Sequence, residues 1–103
     1  MENLSNAFEC FMKEAPAQAK AWMETVTALD AASALDPKTE ETAYIAVLSS
    51  QGLLSGLPFH VKHAKSLGVT REEIISAVLV GLPAVGNKVT AALPVALDAF
   101  DRD

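Results

Sequence analysis

Apolar side chains recur along this chain at intervals of three and four residues, and no segment alternates apolar and polar residues well enough to be a strand. Intervals of three and four gather side chains onto one stripe of an α-helix, whereas strands need a period of two. The pattern therefore confines the chain to an all-α fold, punctuated by proline, glycine and capping residues.

Leu4, Phe8, Phe11 and Met12 predict a short first helix, interrupted at Ala15-Pro16 because proline disrupts a helix it does not begin. Ala19, Trp22, Met23, Val26 and Leu29 predict a second helix with one stripe facing a core. At Asp36-Pro37 a third helix should start, since aspartate can cap orphan backbone N–H groups and proline suits the first turn. It runs through Glu40, Glu41, Tyr44, Ile45, Val47 and Leu48 to about Gln51. Its second half is apolar nearly all round, as expected of a central helix.

Residues 52–58 break the chain, and Pro58 opens a helix that holds His60, His63 and Leu67 and ends at Gly68. Thr70-Arg71-Glu72-Glu73 then has the form of a capping box, with a hydroxyl and a carboxylate placed to cap each other's backbone. Ile74, Ile75, Val78, Leu79 and Leu82 form the buried face of the helix it starts. A last helix begins near Asn87 and carries Val89, Leu93, Val95, Leu97 and Phe100, with a kink expected at Pro94. The expectation is a compact bundle of about five or six helices forming a single domain over 1–103, because a chain of 103 residues encloses one core but not two.

Thirteen acidic against eight basic residues give a formal charge of -5, and the basic residues are scattered, which disfavours nucleic acid as a partner. No run approaches the roughly 20 apolar residues of a membrane span. The start, MENLSNAFECF, lacks the basic-then-apolar order of a signal peptide. No membrane association is expected, and the expected location is cytoplasmic. Half the residues are apolar, which is rich for a chain this small, so a homo-oligomer that hides part of that surface is expected. Cys10 is the sole cysteine. It can form neither an internal disulfide nor a CxxC centre, and reads as a small apolar filler.

Titratable groups set among apolar residues are the candidates for chemistry. Glu41 stands four residues before Ile45 on an apolar helix face, with Glu40 as its competitor; the simpler reading is that both complement the positive end of the helix dipole. His60 and His63 are three apart, on neighbouring rows of one helix face. That spacing suits two metal ligands, but HExxH is absent and further ligands would have to come from elsewhere. No metal and no cofactor are expected, and His63 reads as a partly exposed surface residue. Tyr44, three after Glu41, is a possible hydrogen-bond partner or simply core. Residue patterns alone lead to Glu41 and His60 as a candidate proton-transfer pair.

The run Leu35-Asp36-Pro37-Lys38-Thr39-Glu40-Glu41, then Phe59-His60-Val61-Lys62-His63-Ala64 and Leu67-Gly68-Val69-Thr70-Arg71-Glu72-Glu73-Ile74, resembles the carboxymuconolactone decarboxylase family, which includes the alkylhydroperoxidase D-like proteins. The resemblance covers roughly residues 35 to 86. It implies an all-helical bundle assembling as trimers or hexamers. The peroxidase branch is marked by a glutamate, eleven residues, CxxC, three residues and a histidine. Laid on this chain, the glutamate falls on Glu41, the histidine on His60 and the two cysteines on Leu53 and Gly56.

Neither Leu53 nor Gly56 can form a thiolate or a disulfide, which counts against thiol peroxidase chemistry. The decarboxylase branch implies a cofactor-independent lyase that moves a proton with Glu41 and His60 on a small organic acid or lactone. Tyr44, Leu53, Gly56 and His63 would then be candidates to line the substrate pocket. The competing reading is a noncatalytic oligomeric or small-ligand-binding member of the family.

Overall fold

The computed structural model describes residues 4–102 and contains only helices among them. Helix α1 spans Asn6–Glu14, α2 Pro16–Ala32 and α3 Pro37–Gln51. A 3-10 turn at Leu54–Gly56 leads into α4, Leu57–Ser66, and α5 follows at Arg71–Leu79. The single-turn α6, Leu82–Val85, and a 3-10 stretch at Asn87–Ala91 precede α7, Ala92–Asp101.

The boundaries have local causes. The Asp36 carboxylate accepts from the Thr39 backbone N–H at 2.8 Å and so caps α3. At the other end of α3, Gly52 adopts φ +70°, a left-handed turn open to glycine without the usual Cβ penalty. At α5 the capping box is complete: Thr70 Oγ1 accepts from the Glu73 N–H at 3.1 Å, and Glu73 Oε1 accepts from the Thr70 N–H at 2.9 Å.

The core lies where α3, α4, α5 and α7 pack together. Ile45, Leu57, Val61, Ile74 and Val78 are fully buried, each side chain supplying about 1.5–3 kcal/mol relative to exposure. Helix α7 presents Ala92, Ala96 and Ala99 to this core, and those small residues let α4 lie close along it. Basic residues secure the C-terminal end of α7. Lys65 Nζ donates to the Phe100 carbonyl at 2.7 Å, Lys62 Nζ donates to the Arg102 carbonyl, and Arg71 forms a two-bonded pair with Asp101 at 2.9 and 3.1 Å. Cations there complement the negative end of the helix dipole.

Four expectations about the helices and their core change. The stripe on α2 exists but does not face this chain's core: only Ala19 is buried, while Trp22, Met23 and Leu29 are exposed, and the contacts of α1 and α2 are chiefly with each other. Leu82 leaves the buried face of α5 because that helix ends at Leu79 and Leu82 begins α6 on the surface. Pro94 produces no mid-helix kink, since the chain from Asn87 is first a 3-10 stretch and Pro94 becomes the third residue of α7, where a missing N–H leaves no helical bond unmade. Tyr44 is exposed on α3, so it is not core.

Candidate functional site

Helices α3 and α4 meet through Ile45 and Leu48 on one side and Leu57, Val61 and Ala64 on the other. Leu57, Val61 and Ala64 follow one another by four and three residues, a buried stripe along α4. His60 and His63 each precede a member of that stripe by one position, about 100° around the helix. They therefore flank the buried seam at its margin. Glu41, one turn before Ile45, meets them there from α3.

The Glu41 carboxylate is engaged at both oxygens. Oε1 is hydrogen-bonded to His60 Nδ1, and Oε2 lies 2.9 Å from His63 Nδ1. The side chains form a gradient toward water, with relative exposures of 12 % for Glu41, 25 % for His60 and 49 % for His63. Burial pushes the Glu41 carboxyl upward, but hydrogen bonds from the two histidines and their charge outweigh it and hold the group below the usual carboxylate range. Glu41 is therefore ionised at neutral pH.

Tyr44 stacks on the His60 ring with centroids 4.3 Å apart and planes 28° from parallel, and Phe59 meets the same ring edge-on at 5.2 Å. Both aromatic side chains are exposed and form an apolar rim beside the imidazole. Of the residues singled out from sequence, Glu41, His60, Tyr44 and His63 come together. Gly56 lies against Leu48, whose methyl groups would be 3.5 and 3.6 Å from an added Cβ, so the space on that side of Gly56 is occupied. Leu53 is exposed after the end of α3. Glu40 sits in the first turn of α3; Cys10, expected to be a small apolar filler, is instead exposed on α1, a helix that buries none of its residues.

Two features were missed in the sequence. His63 shares the carboxylate with His60 instead of serving only as a surface residue, and its signal was the three-residue spacing that puts both on one face. The sequence also gives no site role to Phe59, which precedes His60 on an exposed edge of α4 and there forms part of an aromatic rim. Lys62, the cation nearest His60 in sequence, is committed to the end of α7. No group of three or more histidine, cysteine, aspartate or glutamate side chains among the described residues has the arrangement of a metal site.

What this arrangement can do is move protons. An ionised carboxylate behind an imidazole orients the ring and stabilises its cationic form, so the far nitrogen can give or take a proton at a substrate atom. The family model of the carboxymuconolactone decarboxylases matches residues 16–98, and the chain belongs to that family, with its all-helical, alkylhydroperoxidase D-like fold. The match extends on both sides of the segment that carried the resemblance in sequence. No curated protein and no solved structure matches the chain.

Proposed function

We propose that this member of the carboxymuconolactone decarboxylase family is a cofactor-independent lyase that moves a proton with Glu41 and His60 on a small carboxylated lactone. The observation that carries this reading is the hydrogen bond between Glu41 and His60 Nδ1 at a partly open margin of the α3–α4 contact. The far imidazole nitrogen is the atom left to meet a substrate. As the carbon–carboxylate bond breaks, its electron pair stays on the carbon skeleton, where the lactone carbonyl can delocalise it. The imidazolium of His60 then delivers its Nε2 proton to carbon, and Glu41 stabilises that imidazolium beforehand. Tyr44 and Phe59 hold the ring and offer an apolar edge to the lactone.

A thiol mechanism has less support, because Leu53 and Gly56 stand where the peroxidase branch has cysteines. The exposed Trp22, Met23 and Leu29 support assembly as a homo-oligomer, with α2 as a contact helix.

The test is carbon dioxide release from a carboxylated muconolactone by the wild-type chain and by Glu41→Gln, which keeps the shape and removes the charge. A fall in kcat of about 10²-fold or more is expected, the usual contribution of a positioned acid–base group. Full turnover by Glu41→Gln would remove the role assigned to the carboxylate. A wild-type protein inert toward such lactones would leave the noncatalytic oligomer as the better reading.

A further inference from the structure

We infer that α2 is a twofold contact helix: in the assembled protein it lies antiparallel against α2 of a second copy, with Trp22 over the partner's Leu29 and Leu29 over the partner's Trp22. The inference rests on the homo-oligomer reading above, and it is independent of the chemistry at Glu41.

The face is set by spacing. Gln18, Trp22, Thr25, Leu29 and Ala32 step along α2 by four, three, four and three residues, the seam pattern of packed helices. At about 100° per residue they fall within an arc of roughly 80°, which Ala21 and Ala28 widen to about 120°. The charged residues of α2, Lys20, Glu24 and Asp30, all lie outside that arc, and every residue within it is exposed. Ala19, the one residue that α2 buries, lies about 120° round the helix from Thr25, so the packing of α1 on α2 leaves the stripe open. Thr25 adds no unmet donor, because its hydroxyl donates to the Ala21 carbonyl at 3.0 Å.

The exposed area calls for a partner of interface size. The folded chain exposes 6611 Å², whereas a folded monomer of 10.9 kDa exposes about 5,600 Å². The excess, roughly 1,000 Å², matches the ~800 Å² that each side gives to a stable protein–protein interface.

The stripe fits a second copy of itself. Trp22 stands three residues before Thr25 and Leu29 four after it. A twofold axis passing beside Thr25 therefore sets each large side chain against the other kind on the partner, the reciprocal contact that defines an isologous interface. Ala21 and Ala28 flank Thr25 on the side away from Trp22, where two backbones can approach closely. A parallel copy would instead press Trp22 on the partner's Trp22 and align the two helix dipoles.

Trp22 is the sole tryptophan, so its fluorescence reports this face directly. In the wild-type protein, sedimentation is expected to give a dimer or a larger even-numbered species, with Trp22 emission blue-shifted and shielded from iodide. Dilution to the single chain should shift the emission to the red. A trimer, or an oligomer in which Trp22 remains fully open to iodide, would overturn the α2 pairing while leaving assembly intact. A single chain at every concentration would remove the homo-oligomer reading as well.

The antiparallel order is read by disulfide trapping in the full chain carrying Cys10→Ser. Thr25→Cys sits at the axis and is expected to give a covalent dimer under mild oxidation. Gln18→Cys is expected to give none, since the two copies of position 18 stand about 21 Å apart along antiparallel helices. Cross-linking through Gln18→Cys as readily as through Thr25→Cys would show parallel helices and overturn the inference.

Discussion

Replacing Glu41 by glutamine should destabilise the protein, and by an amount that depends on pH. Glutamine offers one acceptor oxygen and one amide donor to a site built around two acceptors. One imidazole keeps a neutral bond, and the other must change its protonation pattern to accept from the amide. A hydrogen bond to a charged group contributes about 1.5–3 kcal/mol and a neutral one about 0.5–1.5 kcal/mol, a difference of roughly 1 kcal/mol per bond. His60 is well shielded and its bond should lose that difference in full, whereas half-exposed His63 should lose less. The expected loss is therefore about 1–2 kcal/mol near neutral pH, or roughly 5–10 °C in Tm for a chain of this size.

The sign with pH follows from the depressed carboxyl of Glu41. Its stabilisation is fully present above the unfolded value of 4.5 and is lost as pH falls through the lower folded value. Thermal unfolding followed by circular dichroism, at fixed protein concentration, should show the gap between wild type and Glu41→Gln narrowing below the ordinary carboxylate range. Equal melting temperatures near neutrality, or a gap that stays constant into strong acid, would refute the assignment of Glu41 as an ionised acceptor of both histidines.

Thr70→Ala removes the N-cap of α5 and should cost about 1 kcal/mol, with faster hydrogen exchange at the Glu73 amide. Ile74→Ala empties a fully buried position and should cost about 2–5 kcal/mol in urea unfolding, against no change for a substitution at exposed Val80. Gly52→Ala places a Cβ on a residue with φ +70° and should lower stability by about 1 kcal/mol, although open space surrounds the new atom. Trp22→Lys should leave helical content intact and shift the protein to a smaller species on gel filtration, since the exposed face of α2 has little to do with this chain's own core.

The helices that build the site were legible because their signals are local. Asp36 and Thr70 reach only three residues along the chain to make their caps, and the apolar spacing of Ile45, Leu48, Ile74 and Val78 marks buried positions directly. The misjudged residues depend on what lies opposite them. Periodicity at Trp22, Met23 and Leu29 identifies an apolar face without saying what covers it, and Tyr44 reads as core until α4 is seen to place His60 beneath its ring. Pro94 departs from the expected kink for another reason: the switch from 3-10 to α geometry after Ala91 moves the helix start and makes the proline harmless. At the site, family spacing paired Glu41 with His60, but a spacing pattern cannot show that the second carboxylate oxygen is also taken.

That second bond bears on why a carboxylate is tolerated at this seam at all. A charge drawn from water beside Ile45 carries a desolvation penalty that one partner often fails to offset. A leucine at this position would remove the penalty and extend the apolar seam formed by Ile45, Leu48, Leu57 and Val61. What the seam would then lose is the one acceptor able to orient two imidazoles at once. On the lyase reading proposed above, the shielded carboxylate serves proton transfer and not packing, and half-exposed His63 carries the group toward the solvent margin of the α3–α4 contact. Stability and function should therefore separate at this residue: an apolar replacement of Glu41 that preserves or raises Tm while abolishing carbon dioxide release from the carboxylated lactone would show a charge retained for chemistry.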